Sequence, residues 1–149
     1  MMPDESSHLR LLLVEDEKFI RHTIRQLLRS LGISDIREAA DGTEALAAMR
    51  DGFQPDVIIC DVQMAPMDGV TFLKAIRKEA DPALAAIPVI VLTVSADATV
   101  VREFRHLGIS SYLLKPVSRK QLDDHVTAAI RRTGGAAKRP GNAERMQTR

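Results

Sequence analysis

The chain is short of cysteine, of net charge and of long apolar runs, and each shortage excludes a class of protein. Cys60 is the single cysteine, so the sequence supports neither a disulfide framework nor a cysteine-rich metal site. A formal net charge of +1 over 149 residues is too small for overall electrostatic binding to nucleic acid. No apolar run approaches the length of a membrane span, and the polar, acidic first ten residues are unlike a signal peptide. We therefore expect a cytoplasmic protein.

The composition that remains is that of one domain with a core. Apolar residues make up 45% of the chain and charged residues 28%, which is ordinary for a folded domain. We expect a single domain over residues 9–132. Residues 1–8 and the basic tail 133–149 contain little apolar content, and we expect both to be disordered.

Predicted strands and helices alternate along the chain. Apolar segments predict five strands, at residues 9–14, 35–39, 56–60, 88–92 and 111–114. Helical spacing predicts helices at 16–31, 69–78 and 97–107, and two more helices after the capping boxes at 41–44 and 118–121. This alternation is typical of an α/β fold with a parallel sheet and helices on both faces. The second strand is interrupted by charge, so we place it at an edge.

Polar side chains follow four of these strands. Glu15 and Asp16 follow the first strand, Asp61 the third, Thr93 the fourth and Lys115 the fifth. Because the carboxyl ends of parallel strands meet at one edge of a sheet, we expect these side chains to converge there. Ligands bind at this edge where the strand order reverses, which the apolar runs place between the first and third strands.

Several acids at one edge require a cation. Two carboxylates about 4 Å apart repel by roughly 4 kcal/mol at an effective dielectric near 20. Lys115 is one candidate to offset this repulsion, and Mg²⁺, which prefers oxygen ligands, is the other. An aspartate can act as a nucleophile toward phosphorus, with the metal, Lys115 and the Thr93 hydroxyl meeting the charge of the phosphoryl group.

The same residues lie in motifs of a known family. The motifs are LLVEDE at 12–17, CDVQM at 60–64, MDG at 67–69, PVIVLT at 88–93 and YLLKP at 112–116. In this order and spacing, over residues 9–132, they resemble the receiver domain of two-component response regulators. The resemblance implies a flavodoxin-like, doubly wound, five-stranded parallel sheet of order 2-1-3-4-5.

The resemblance also implies roles for the acidic residues. Asp61 is implied to be the residue phosphorylated by a histidine kinase or histidine phosphotransferase. Asp16, Asp61 and the backbone carbonyl of Gln63 are implied to ligate Mg²⁺ (or Mn²⁺), with Glu15 assisting through water.

A switch and an output surface follow from the resemblance as well. Thr93 is implied to move toward the phosphoryl group, Lys115 to pair with a phosphoryl oxygen, and Tyr112 to turn inward. These movements would reshape the surface of the fourth helix, fifth strand and fifth helix, where a protein partner binds. The Lys115–Pro116 bond is implied to be cis.

Two positions depart from the family pattern. The family usually has proline four residues after the phosphorylated aspartate, whereas this chain has Ala65 there and Pro66 one residue later. The residue after the switch threonine is usually very small, and here it is Val94, whose branched side chain could crowd the pocket. Both departures bear on the rates of phosphorylation and loss more than on the site itself.

Plainer explanations exist for each residue alone. The acids after the first strand could simply favour a helix N-terminus, Thr93 could be an ordinary strand-end residue, and Lys115 could be solvated. Four such strand ends together favour a site.

The sequence therefore predicts a single-domain response regulator without a DNA-binding domain. It would not be an enzyme, although it would assist its own phosphorylation and dephosphorylation. Alternatives are a fragment of a longer regulator, a scaffold that works without phosphorylation, and a Mg²⁺-dependent phosphohydrolase. The hydrolase is disfavoured because Gln63 stands where a general acid would follow Asp61, and because no P-loop pattern is present.

Overall fold

The computed structural model of the chain describes residues 8–94 and 98–133. Its strands are β1 (Arg10–Val14), β2 (Asp35–Ala39), β3 (Val57–Asp61), β4 (Val89–Thr93) and β5 (Ser111–Leu114). They form one five-stranded sheet in the order β2-β1-β3-β4-β5, and every neighbouring pair is parallel. The predicted doubly wound fold and its strand order are confirmed.

Four helices connect successive strands, and a fifth follows the last strand. They are α1 (Lys18–Ser30), α2 (Gly42–Arg50), α3 (Gly69–Arg77), α4 (Ala98–His106) and α5 (Arg119–Thr133). One further helical turn, Pro82–Ala85, lies where the sequence predicted only a loop. Asp81 caps this turn by accepting a bond of 2.9 Å from the Ala83 N–H, and Pro82 occupies its first position, where proline is well tolerated.

The predicted capping box at 118–121 is present, and that at 41–44 is present in a shifted form, because Glu44 accepts from the residue before the N-cap. Asp41 accepts a hydrogen bond of 3.0 Å from the Glu44 N–H, while the Glu44 carboxylate accepts one of 2.9 Å from the Ala40 N–H. At α5, the Ser118 hydroxyl and the Gln121 side chain each accept from the other's N–H, at 3.1 and 3.0 Å. These bonds satisfy backbone donors that the helices leave free, and so fix where α2 and α5 begin.

The sheet is buried on both faces. Alternate strand residues such as Leu12, Ile58 and Val91 pack against α2, α3 and α4. The residues between them, such as Leu13 and Ile59, pack against α1 and α5. All residues of β3 and β4 are buried, including the polar residue that ends each strand, which explains their continuous apolar runs. Strand β2 lies at the edge as predicted, and its first four residues alternate between exposed and partly buried.

The register of the strands brings their carboxyl ends level. Val14 pairs with Cys60, Asp61 with Leu92, and Thr93 with Leu114. The order reverses between β1 and β3, so the crevice at this edge opens beside Asp61.

The chain ends add little to this description. The sequence predicts disorder in the segments 1–8 and 133–149. These segments lie outside the described residues except for His8 and for Thr133, which is the last residue of α5. Within the described part of the chain, no helix has the length and apolar character needed to cross a membrane.

Candidate functional site

Three carboxylates meet at the crevice between β1 and β3. Asp61 is the last residue of β3 and is 6% exposed. Glu15 follows β1 and is fully buried, whereas its neighbour Asp16 is exposed. One oxygen from each carboxylate lies within 4.8 Å of the others, so the chain gathers three negative charges in a space that a single cation could fill.

Lys115 lies against two of these acids. Its ammonium nitrogen is 2.9 Å from Glu15 Oε1 and 3.2 Å from Asp61 Oδ1. The lysine side chain is 13% exposed, so both ion pairs are largely shielded from water. Its backbone N–H donates to the Thr93 carbonyl at 2.8 Å, which ties the ends of β4 and β5 together. The lysine therefore counters the acidic cluster from the side of β5.

Burial and mutual contact shift the pKa values of Asp61, Glu15 and Lys115. Burial raises the pKa of Asp61, and the charge of Asp16 adds to this, although Lys115 and the Gln63 N–H oppose it. Burial likewise raises the pKa of Glu15, opposed mainly by its bond with Lys115. Burial acts to lower the pKa of Lys115, but its contacts with the two acids outweigh this and the net direction is upward. Burial thus makes both carboxylates harder to ionise, and Lys115 offsets this effect only in part.

The residues present fit a hard divalent cation. The donor set consists of carboxylate oxygens, which Mg²⁺ and Mn²⁺ prefer. Glu15 Oε1 is buried and accepts no hydrogen bond of good geometry from the described residues, although Lys115 Nζ lies close to it. A buried carboxylate oxygen with unfilled accepting capacity beside two other acids is suited to a cation and its water ligands.

The loop that follows Asp61 is held tightly against it. The Gly69 N–H donates to the Val62 carbonyl at 3.0 Å, and α3 begins at this glycine after the Asp68 cap. A Cβ at Gly69 would lie 2.5 Å from the Asp61 carbonyl oxygen, so no larger residue fits there without movement. The exposed Gln63 lies within this loop, and its backbone N–H acts to lower the pKa of Asp61.

The predicted switch residues lie at or near the same edge. Thr93 ends β4 and is 8% exposed, one residue beyond the register partner of Asp61. Tyr112 lies on β5 opposite Val91, and its side chain is 37% exposed. Leu114 on the same strand is 44% exposed. Strand β5 therefore presents two large apolar side chains at the surface between α4 and α5.

The two unusual positions are also visible. Both Ala65–Pro66 and Lys115–Pro116 are cis peptide bonds. The Val94 side chain is 73% exposed, so it is not buried within the site. With the exposed Phe19 it lines an apolar groove of about 410 Å³ that reaches Lys115.

The sequence did not predict the residues that contact the backbone of the site. Arg21, on α1, donates to the Glu15 carbonyl at 2.7 Å and to Glu38 on β2 at 3.0 Å. The charge of Glu38 within β2 was attributed to the exposed edge of the sheet. The two arginines one helical turn apart on α1, Arg21 and Arg25, are the sequence signal, and both form partly buried ion pairs with Glu38.

Comparison with known proteins agrees with this architecture. The family model of the response regulator receiver domain matches residues 11–127. The chain is 32% identical over 127 residues to the chemotaxis protein CheY of Pseudomonas aeruginosa, covering 85% of this chain and all of that one. It is 35% identical over 128 residues to the probable transcriptional regulator ycf27 of Guillardia theta, covering 86% of this chain and 48% of that one.

Solved structures give the same result. The crystal structure of the chemotaxis response regulator CheY4 of Vibrio cholerae superposes with a TM-score of 0.73 at 30% identity, covering 81% of this chain and 98% of that one. The receiver domain of a signal transduction histidine kinase from Syntrophus aciditrophicus superposes with a TM-score of 0.72 at 29% identity, covering 81% and 89%. The chain belongs to the response regulator receiver family of two-component signalling.

Proposed function

We propose that Asp61 accepts a phosphoryl group from a phosphohistidine of a histidine kinase or histidine phosphotransferase. An oxygen of the Asp61 carboxylate forms the new bond to phosphorus, the phosphorus–nitrogen bond of the donor breaks, and the released imidazole takes up a proton. The observation that carries this proposal is the meeting of Asp61 with two acids and a lysine at the sheet edge. Membership of a two-component family implies a kinase as partner.

The cation of this site is proposed to be Mg²⁺, with Mn²⁺ as a substitute. Asp16, Asp61 and the backbone carbonyl of Gln63 are the proposed ligands, and Glu15 acts through a bound water. When bound, the cation neutralises the acids and orients the oxygens of the phosphoryl group. Glu15 and Asp61 share the contact with Lys115, so the lysine keeps the two buried carboxylates in place before the donor arrives.

Three residues are proposed to read the modification. Lys115 pairs with one phosphoryl oxygen, since its ammonium already contacts Asp61. Thr93 moves to donate its hydroxyl to another, and Tyr112, now 37% exposed, turns inward into the space vacated. The surface formed by α4, β5 and α5 changes shape as a result.

The output is proposed to be contact with a protein partner on this α4-β5-α5 surface. Tyr112 and Leu114 supply exposed apolar area there, as a regulated protein interface requires. We propose that residues 9–132 form the signalling domain, that it works in the cytoplasm, and that it assists its own phosphorylation and dephosphorylation. Receiver domains are signalling proteins rather than enzymes in the usual sense.

Intact mass spectrometry with a small phosphodonor tests the proposal. Wild-type protein incubated with Mg²⁺ and acetyl phosphate should gain one phosphoryl group, and chelation of the metal should prevent it. Asp61→Asn should gain none, whereas the control Asp51→Asn, which changes an exposed acid at the end of α2, should react like wild type.

The other outcomes identify the alternatives. Continuous release of phosphate over many turnovers would indicate a phosphohydrolase. Absence of an adduct with acetyl phosphate, together with absence of any spectral response to Mg²⁺ and beryllofluoride, would indicate a scaffold that works without phosphorylation.

A further inference from the structure

Arg21 is a cation behind the acidic site that the phosphorylation chemistry does not use. It lies in the first turn and a half of α1, and its side chain is 17% exposed. Its Nη1 donates to the Glu15 carbonyl at 2.7 Å, and its Nε donates to Glu38 Oε1 at 3.0 Å. A single guanidinium thereby joins the end of β1, the start of α1 and the edge strand β2.

The backbone of Glu15 is held from two sides by these contacts. Its N–H donates to the Ala39 carbonyl at 3.0 Å, and its carbonyl accepts from Arg21. In the turn that follows, Glu17, the N-cap of α1, makes no side-chain capping bond. Instead, the Glu17 N–H donates to the Glu15 carboxylate at 3.2 Å. The guanidinium therefore holds the backbone at the start of the acidic turn, while Lys115 holds the Glu15 carboxylate.

Glu38 in turn holds the guanidinium. Its Oε1 faces Arg21, and its Oε2 lies 3.0 Å from Arg25, one helical turn further along α1. Arg25 shares this partner but makes no hydrogen bond to residues 15–17 among those described. The chain thus offers two arginines in one ion-pair cluster, of which one reaches the acidic turn.

We propose that Arg21 is a positioning residue for the divalent cation, acting through the backbone of Glu15. This inference rests on the Mg²⁺ site of the proposed function. Glu15 and Asp16 repel each other and Asp61, so the metal-free turn tends to open unless it is clamped. A charge-assisted bond from Arg21 to the Glu15 carbonyl holds the two carboxylates at cation-binding separation and so lowers the cost of assembling the site.

Isothermal titration of the metal-free protein with Mg²⁺ tests this proposal without any phosphodonor. Loss of a residue that orients metal ligands typically weakens affinity by about 10-fold or more, and we expect Arg21→Met to weaken Mg²⁺ binding roughly 10-fold. Arg21→Lys should weaken Mg²⁺ binding less, by roughly threefold, because an ammonium replaces a guanidinium that bonds two acceptors at once. The matched control Arg25→Met should stay within about twofold of wild type, since its partner Glu38 keeps the bond to Arg21.

The outcomes separate this inference from the proposed function. If wild type binds Mg²⁺ and Arg21→Met binds equally well, or if Arg25→Met loses as much, positioning by Arg21 is wrong while the metal site stands. If wild type binds no Mg²⁺, the proposed metal site and this inference fail together. Circular dichroism of each metal-free variant verifies that it is folded. If Arg21→Met does not fold, a wild-type affinity of Arg21→Lys for Mg²⁺ overturns the proposal.

Discussion

Replacing Asp61 by asparagine should stabilise the metal-free protein. Glu15, within 4.8 Å, repels the Asp61 carboxylate by about 3.5 kcal/mol or more at an effective dielectric of 20. Lys115, at 3.2 Å, attracts it by about 5 kcal/mol, and the exposed Asp16 adds a smaller repulsion. These contributions nearly cancel, so the lost hydration of a buried carboxylate remains uncompensated. We expect Asp61→Asn to raise the free energy of unfolding by about 1–2 kcal/mol.

Thermal unfolding followed by circular dichroism, with a chelator present, measures this change. For a chain of this size each kcal/mol moves the midpoint by about 4 °C, so the variant should unfold several degrees above wild type. Added Mg²⁺ should raise the wild-type midpoint and narrow the difference, because the cation binds the folded site. The control Asp51→Asn should leave the midpoint unchanged. A variant less stable than wild type in chelator would refute the view that the hydration lost by the buried Asp61 carboxylate is uncompensated.

The same variant has a defined pH dependence. Burial raises the pKa of Asp61 above its ordinary value of 3.8, so the folded protein binds the proton more tightly than the unfolded chain. Wild-type stability therefore rises, relative to Asp61→Asn, as pH falls through the raised pKa toward 3.8. The advantage of the variant should shrink over that window and vanish below it. An advantage that stays constant with pH would contradict this assignment.

Three further substitutions test the packing and charge of the site. Lys115→Met leaves two buried carboxylates without their cation and should lower the free energy of unfolding, measured in urea, by roughly 3 kcal/mol. The control Lys120→Met removes an exposed lysine and should leave the urea midpoint unchanged, so equal effects of the two substitutions would refute the buried pairing. Gly69→Ala places a methyl group against the Asp61 carbonyl, so it should lower the free energy of unfolding by about 1–3 kcal/mol and weaken Mg²⁺ binding in calorimetry. Wild-type values in both measurements would show that the loop shifts to accept the methyl group at no cost. Ile59→Ala empties a fully buried position in the centre of the sheet and should cost about 2–5 kcal/mol by urea unfolding; a loss below about 1 kcal/mol would contradict the packing described.

The central strands and the meeting of the strand ends were predictable because both follow from local patterns, whereas the full strand order was implied by the resemblance to the receiver family. Continuous apolar runs identify β3 and β4 as central strands, and parallel pairing then places Asp61 and Thr93 at one edge. The one-turn helix Pro82–Ala85 was missed although Asp81 followed by proline is a helix-start signal, since four residues are too few to show a helical period.

Features that depend on side-chain direction were beyond the sequence. Glu15 and Asp16 are adjacent and chemically alike, yet one is fully buried and the other exposed, because the turn after β1 directs them differently. Phe19 is apolar but lies off the buried stripe of α1 and is 80% exposed. The bond from Arg21 to the Glu15 carbonyl requires a helix packed at one particular angle, which no residue pattern specifies.

Locating the phosphoryl group tests the central claim most directly. After reaction with acetyl phosphate and Mg²⁺, borohydride reduces an aspartyl phosphate to homoserine, and peptide mass spectrometry then identifies the position. The account predicts homoserine at position 61 alone, and none when the metal is chelated. Homoserine at Asp16, Asp68 or another acid in place of Asp61 would contradict the site described here.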